Sequence, residues 1–130
     1  MIIDITNQLF TEIKNTIKEC TILSSYQNVI PSFPTIIFEE INNTSYKSTK
    51  DSSGYNHSLI SFKVEIYTKG NGKAYQSKKI RDKVDKVLSD KYGLNRDESK
   101  SIPNYLDENI HRHIMIYSGI IDKNKTIYGR

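Results

Sequence analysis

The sequence predicts an α+β fold in which a mostly antiparallel sheet of four to five strands is flanked by two helices, in the order α-β-β-β-α-β-β. Two segments repeat apolar residues at helical spacing, and another alternates apolar and polar residues at strand spacing. The length of 130 residues suffices for one hydrophobic core, so we expect a single domain over residues 1–130.

The first predicted element is an amphipathic helix from Ile3 to about Cys20. Its apolar stripe repeats every four residues and consists of Ile5, Leu9, Ile13 and Ile17. Asp4 stands where an acidic side chain complements the helix dipole. We expect the stripe to face the core, and we expect Cys20 to be an ordinary core residue.

Two strands are predicted after this helix. The first is the short segment Thr21-Ile22-Leu23, and the second runs from Thr35 to about Ile41 with an apolar, β-rich centre. Pro31 and Pro34 predict a loop between these two strands, because the residue before a proline is sterically disfavoured in the helical conformation.

Residues 42–57 are rich in Ser, Thr, Asn and Lys, and they predict a long, mobile hairpin loop between two strands. Loops of this length tend to be functional or to become ordered on binding. The following segment, Ser58 to Lys69, is the clearest strand of the chain. Its apolar side consists of Ile60, Phe62, Val64 and Ile66.

A turn at residues 70–72 precedes the second predicted helix, which extends from about Lys73 to Tyr92 and is ended by Gly93. A weak strand is expected near residues 96–102. The last strong strand runs from Asn109 to Ile121, and because both of its faces are apolar we expect it to lie in the centre of the sheet.

The cysteine content agrees with a reducing compartment, and the charge does not indicate a dedicated nucleic-acid binder. The formal net charge is +4, with 15 acidic residues among 19 basic ones, which is weaker than the dense basic face of a dedicated nucleic-acid binder. Cys20 is the single cysteine, so no internal disulfide can form. The sequence has neither an apolar run of ~20 residues nor a signal-peptide pattern, and we expect a cytoplasmic protein.

No group of residues predicts catalysis, and we therefore expect a protein without enzymatic activity, cofactor or metal ion. His111 and His113 share one strand face, but no third ligand is suggested at a useful spacing. The order Lys63-Val64-Glu65 reverses the acid-then-lysine pattern of metal-dependent nucleases. Residues 70–73 lie between a strand and a helix but lack the spacing of a phosphate-binding loop.

The second helix carries the strongest nucleic-acid signal, because seven of its residues are basic. They are Lys73, Lys78, Lys79, Arg81, Lys83, Lys86 and Lys91. Asp82, Asp85 and Asp90 offset this charge, and acid–base pairs three or four residues apart are typical of a solvated helix face.

Four stretches together resemble the small tail terminator and neck (tail completion) proteins of tailed phages and prophages from Gram-positive hosts. These stretches are Phe33 to Glu40 with the Asn/Thr-rich loop after it, the strand Ile60 to Tyr67, the helical segment Lys79 to Asp85, and the ending Ile120 to Arg130. The resemblance covers most of the chain in the same order.

The resemblance implies a structural virion assembly protein that forms a ring, usually hexameric, on the last layer of the tail tube. Such a ring ends tube polymerisation and creates the surface that docks to the head. The implied partners are other copies of the chain, the tail tube protein and the head–tail connector protein, with no membrane and no specific nucleic acid. The implied locations are the host cytoplasm during assembly and then the tail or neck of the virion.

We expect the interfaces of such a ring to involve the loop at 42–57 and the second helix. Aromatic side chains give contact area at low entropy cost, and charged loop residues tune the fit to a partner. The candidate interface residues are Tyr46, Lys47, Lys50, Asp51, Tyr55, His57, Lys78 and Lys79.

Three alternative functions remain open at this point. A head-completion or head–tail joining protein would form its ring on the portal side. A small nucleic-acid-binding protein would use the Lys-rich second helix and would bind with a steep salt dependence. A small enzyme, such as a nuclease, would require metal-dependent cleavage that involves Glu65 or His111.

Overall fold

The computed structural model describes residues 2–45, 50–51, 54–55, 57–103 and 107–128. Helix α1 spans Thr6–Thr16, and helix α2 spans Lys73–Asp85 and continues into a π-helical segment at Lys86–Lys91. The strands are β1 (Thr21–Leu23), β2 (Thr35–Ser45), β3 (Lys50–Asp51), β4 (Gly54–Tyr55), β5 (His57–Lys69), β6 (Asn95–Ile102), β7 (Ile110–Asp122) and β8 (Ile127–Tyr128).

The main sheet contains six strands in the order β1-β2-β5-β7-β6, and β8 pairs with β7 next to the end of β6. Every pair is antiparallel except β1 with β2, which is parallel. The predicted α+β class is confirmed, and so is the interior position of β7. The sheet has one strand more than predicted, because Ile127–Tyr128 is too short to show an alternating pattern.

The core lies between one face of the sheet and both helices, and we call this side of the sheet the helix face and the other side the open face. The sheet contributes alternate residues of β2, β5 and β7, among them the predicted series from Ile60 to Ile66. Helix α1 contributes the predicted stripe, and α2 with the π-helical segment contributes Ile80, Val84, Val87 and Leu88. The strand periodicity of β5 and the helical periodicity of α1 are thus confirmed.

Helix α1 begins three residues later than predicted, although the residues before it still pack in the core. Ile3 and Ile5 are both buried, so the apolar pattern continues beyond the helix itself. The Asp4 side chain accepts a hydrogen bond of 2.8 Å from the backbone N–H of Thr6. Hydrogen bonds with Thr6 lower the pKa of Asp4. Cys20 packs against the core as expected, and burial raises the pKa of its thiol to about 12.

The prediction of one loop over residues 42–57 is wrong at both of its ends. Strand β2 continues through Ser45, where it still pairs with Ser58, after a register shift between Glu40 and Asn42. Strand β5 begins at His57, and the short strands β3 and β4 pair with each other. Polar residues are compatible with these strands because an antiparallel hairpin needs no apolar face of its own where it is solvated.

The predicted turn, second helix and last two long strands in the second half of the chain are confirmed. Gly70 and Gly72 have φ angles of +86° and +75° in the turn before α2, a region of backbone space that favours glycine. Gly93 has a φ of +79° and follows the π-helical segment. Strand β6 spans the segment predicted as a weak strand, and Asp122 begins the last turn by accepting backbone hydrogen bonds from Asn124 and Thr126.

Candidate functional site

The predicted interface residues fall into two groups that the fold does not bring together. Tyr46 and Lys47 lie outside the described residues. Lys50, Asp51 and Tyr55 belong to β3 and β4, and His57 opens β5 with its ring 5.9 Å from that of Tyr128. The second group, Lys78 and Lys79, is exposed on α2. Because α2 follows the far end of β5, a strand of 13 residues, roughly 40 Å of strand separates His57 from the start of α2.

The basic residues of α2 do not pair with the acids of the same helix in the predicted way. Lys83 and Lys91 form ion pairs with Glu19 and Glu12, which belong to the first part of the chain. Arg81 pairs with its neighbour Asp82 at 3.0 Å. The predicted pairing at three or four residues is therefore wrong in the described part of the chain, because acids that lie next to α2 in space take up its basic residues.

Asp85 pairs outside the helix as well, with residues of the sheet. Its Oδ2 lies 3.1 Å from Nη1 of Arg96, and its Oδ1 accepts a hydrogen bond of 2.7 Å from the hydroxyl of Tyr117. This arrangement removes Asp85 from the set of acids that could neutralise the lysines of α2.

Among the described residues, the lysines at positions 73, 78, 79 and 86 form no ion pair with an acid. Lys79 lies over the ring of Tyr75, with its Nζ 4.8 Å from the ring centre. Within the described residues, four of the seven basic residues of the second helix therefore carry positive charge that no acid neutralises.

A trough lies between α2 and the edge strand β6. Its floor is formed by helix-face residues of β6 and β7, and its wall by the basic side of α2. We define this α2–β6 trough by Lys73, Lys78, Arg81, Ser99, Ser101, His111 and His113.

The floor of the trough is a chain of hydrogen-bonded serine and histidine side chains. His113 is 6% exposed, and its Nε2 lies 2.8 Å from Oγ of Ser99. Oγ of Ser101 lies 3.4 Å from Nδ1 of His113 and 3.3 Å from Nε2 of His111. Nδ1 of His111 is buried without a hydrogen-bond partner. The predicted placement of both histidines on one strand face is confirmed.

Two cavities lie along this trough. One has a volume of about 460 Å³ and is lined by Lys73, Ser101 and His111, with Glu108 and apolar residues at its border. The other has a volume of about 330 Å³ and is lined by Arg81, Asp82, Arg96 and Ser99. Serine side chains on β6 are small, so the space between the strand and α2 stays open.

Burial and neighbouring positive charge keep both histidines neutral near pH 7. Burial lowers the pKa of His111, and the charges of Lys73 and Lys78 lower it further. Burial also lowers the pKa of His113, together with the charge of Arg81. A protonated imidazole would add positive charge to a site that already carries an excess of it.

We expect the protein to lose stability as the pH falls below about 6.5, the ordinary pKa of histidine. A histidine whose pKa is lowered by folding stabilises the folded state above that pH, and the contribution is lost as the pH falls towards the folded-state pKa. Thermal unfolding between pH 7.5 and pH 5 should show this decrease, and a His113→Gln variant should show a smaller one. An identical decrease in both proteins would contradict the assignment.

The open face contains a second cluster of charged residues, centred on the buried carboxylate of Glu65, which is 1% exposed. Its Oε2 accepts hydrogen bonds from the Tyr67 hydroxyl at 2.6 Å and from Nε of Arg112 at 2.9 Å. Its Oε1 lies 3.1 Å from Nζ of Lys63, which also contacts Glu39 at 3.2 Å.

Burial alone would raise the pKa of Glu65, but hydrogen bonds from Tyr67, Lys63 and Arg112 lower it overall. Lys63 and Glu65, considered in the sequence as parts of a reversed nuclease pattern, are instead ion-pair partners on one strand face. Within the described residues, no group of three or more His, Cys, Asp or Glu side chains is arranged to hold a metal ion.

The chemistry available in the α2–β6 trough is the binding of anions. Ser99 and His113 are within hydrogen-bond distance, but the second nitrogen of His113 faces a serine hydroxyl instead of a carboxylate. A carboxylate in that place would orient the imidazole and stabilise its protonated form, as in a catalytic triad. The unpaired lysines and the hydroxyl groups are suited to a carboxylate or phosphate ligand.

The basic helix and the two histidines are visible in the sequence, but their combination into one site is not. The feature that could have indicated the site is the small size of Ser99 and Ser101. These serines lie two residues apart on one face of β6 and leave space above that face. That signal has meaning only when β6 is known to pair with β7, because the pairing places the serines beside the histidines.

Comparison of the sequence with models of known protein families gave no match, and comparison with curated proteins gave none either. In the described part of the chain, neither helix has the length and apolar character required to cross a membrane.

Proposed function

We propose that the protein is a structural subunit of a phage-type tail, a tail terminator that caps the tail tube as a ring. The observation that carries this proposal is that both helices pack on one face of the sheet, while both sheet edges and the part of the open face around Ile114, Ile116 and Ile120 remain available to neighbours. The resemblance of four sequence stretches to tail terminator and neck proteins supports the proposal from a separate direction.

The open face offers an apolar band to a neighbouring subunit or to the tube. Ile114, Ile116 and Ile120 occupy alternate positions of β7 on this face and are each only partly buried in the single chain. Lys63 and Glu39 lie beside this band on neighbouring strands. An apolar centre with a charged border is the usual composition of a specific protein interface.

The two edges of the sheet differ from each other, as a ring requires. One edge is formed by β6 and β8, and the other by β1 together with the part of β2 that extends beyond it. A ring closes when one surface of a subunit contacts a different surface of the next subunit around a rotation axis. Two unlike edges on one chain supply such a pair of surfaces.

The hairpin of β2 and β5 supplies an extension for contacts with the tube. After the register shift at Glu40, the β2 residues from Asn42 to Ser45 are polar, and the two strands lead to the β3–β4 pair and to the candidate interface residues. In the proposed ring, this arm contacts the tube or an adjacent subunit, and the far face of the ring lacks the docking surface on which another layer of tube protein would assemble.

Deletion of the gene from the phage or prophage that encodes it tests this function. Electron microscopy of the particles should show tails of uncontrolled length, or tails that are not attached to heads. Complementation with the intact gene should restore both length and attachment. Tails of normal length joined to heads in the deletion would refute the proposal.

Substitution of the two arm tyrosines tests the proposed role of the arm. We expect Tyr46→Ala with Tyr55→Ala to abolish complementation, because the proposed aromatic contact area to the partner is lost. The matched control is Tyr26→Ala, which removes an exposed tyrosine elsewhere on the surface. Complementation by the double variant equal to that by the control would exclude the arm as the contact.

A second candidate function is nucleic-acid binding, and the unpaired lysines of α2 favour it. Lys79 and Lys86 are exposed, and among the described residues neither forms an ion pair with an acid that would compete with a phosphate group. Titration of the isolated protein with duplex DNA at increasing salt distinguishes the two functions. Steep salt-dependent binding supports this candidate, and no binding at moderate salt excludes it.

A further inference from the structure

We propose that the α2–β6 trough binds an extended, acidic peptide segment of a partner protein, which adds to the sheet along β6 and places its carboxylates among Lys73, Lys78 and His111. This inference goes beyond the proposed function and does not depend on it: the peptide pairs with β6, and a ring contact on that side of the sheet would use β8 and the open face. It rests on unpaired positive charge, on an open strand edge and on the shape of the space between them.

The trough contains positive charge that the fold leaves without acidic partners among the described residues. Lys83 and Lys91 lie on the other side of the helix and are neutralised by acids near α1. In the described part of the chain, Lys73 and Lys78 have no such partner, and Glu108 is the one acid that borders the cavity beside them. Carboxylates of a partner would therefore meet cations that the fold itself leaves uncompensated.

The trough is bordered by β6, which lies at the edge of the sheet. Among the described strands, β6 pairs with β7 on one side only, and its central residues from Arg96 to Ser101 are exposed. An exposed edge carries unpaired backbone N–H and C=O groups, which can pair with an added strand. The eight residues of β6 are long enough to pair with several residues of a peptide.

Open space lies between β6 and α2, on the helix face of the sheet. Ser99 and Ser101 leave two cavities of about 330 and 460 Å³ between β6 and α2. A peptide paired to β6 directs every second side chain towards this helix side of the sheet. Its acidic side chains would therefore extend along the serine hydroxyls towards His111 and the lysines.

The distribution of acids in and beside the trough favours a peptide over a nucleic acid. Asp82 lies in one cavity, Glu108 borders the other, and Glu98 belongs to the strand edge itself. A nucleic-acid backbone carries a charge at every nucleotide and would meet these acids at close range. A peptide can place separate carboxylates at the cations and neutral residues opposite the acids.

The binding experiment uses the whole protein and a labelled peptide of eight residues with alternating Thr and Glu, blocked at both ends. The matched peptide carries Gln in place of Glu, and a dT oligonucleotide of similar length is the third probe. Fluorescence anisotropy at low salt should show binding of the Glu peptide only. Amide chemical shifts should change along β6 when this peptide is added, as strand addition requires.

The variants Lys73→Gln and Lys78→Gln, combined, should weaken binding of the Glu peptide about tenfold, the effect of two partly exposed charge contacts. Lys86→Gln is the matched control, because this lysine is also unpaired and exposed but lies outside the trough. If the double variant unfolds, the single variant Lys78→Gln at an exposed position decides the question, with a weaker but measurable loss.

Each other outcome overturns the proposal. Absence of binding at low salt excludes an acidic peptide, and equal binding of the Glu and Gln peptides excludes recognition of carboxylates. Preferential binding of the oligonucleotide assigns the trough to nucleic acid. An equal loss in Lys86→Gln shows attraction by the total charge of α2 instead of a site.

Discussion

Arg112→Met is expected to destabilise the protein by about 2–3 kcal/mol at neutral pH, because the buried carboxylate of Glu65 loses two charged hydrogen bonds while Lys63 and Tyr67 remain as its partners. Arg112 donates to Oε2 of Glu65 through Nε at 2.9 Å and through Nη2 at 2.8 Å. Glu65 is 1% exposed, so water cannot replace the lost hydrogen bonds. Equilibrium unfolding in urea at pH 7 measures the loss.

The control for this prediction is the double variant Glu65→Met with Arg112→Met. It should be more stable than Arg112→Met alone, because the buried carboxylate that lost its two hydrogen bonds from Arg112 is also removed. Equal stability of the single and double variants would show that the carboxylate is not the source of the cost.

The pH dependence of the same variant supplies an independent check. In the native protein the lowered pKa of Glu65 means that its ionised form stabilises the fold above pH about 4.3, and that this contribution is lost as the pH falls towards the folded-state pKa. In Arg112→Met the carboxylate can take up a proton at low pH and lose its unfavourable charge. The difference in free energy of unfolding between Arg112→Met and the native protein should therefore be smaller at pH 4 than at pH 7.

Phe62→Ala should destabilise the protein by about 3–5 kcal/mol, because it opens a cavity in the centre of the core. Phe62 is fully buried on the helix face of β5, and its ring stacks on that of Phe38 with 5.1 Å between the ring centres. Its cross-strand partner on β7 is Tyr117, which is also fully buried. The free energy of unfolding from urea titration measures the change.

The matched control for the cavity is Phe33→Ala, at a partly exposed position in the loop before β2. Phe33 lies beneath Lys69, whose Nζ is 5.4 Å from the ring centre, and it does not belong to the main core. We expect Phe33→Ala to lower the free energy of unfolding much less than Phe62→Ala does. Similar losses at the two positions would mean that the core between helices and sheet is not the main source of stability.

The sequence predicted the elements with strong periodicity best. Ile60 to Ile66 alternate over a whole strand, and the stripe of α1 repeats over three turns, so burial of one face is specified within each segment. The end of β2 was missed because Asn42, Asn43 and Thr44 are polar. They are strand residues because they pair with β5. This pairing cannot be predicted from the residues of the segment alone.

The candidate site was predictable only in its parts. Lys73, Lys78 and His111 are visible in the sequence as basic residues of a helix and as a histidine of a strand. Their proximity depends on α2 crossing the helix face of β7, with β6 as the next strand. The partners that remove Lys83 and Lys91 from the basic surface lie 64 and 79 residues away along the chain.

The sequence by itself determined the fold class, the order of the elements and the apolar face of each long helix and strand, because hydrophobic burial follows the local period of a helix or strand. Only the tertiary structure decided which charges are neutralised, which strand edge stays open and where space remains above the sheet. Ion pairs, edges and cavities arise between elements that are distant in sequence, and their geometry is set by strand order and register.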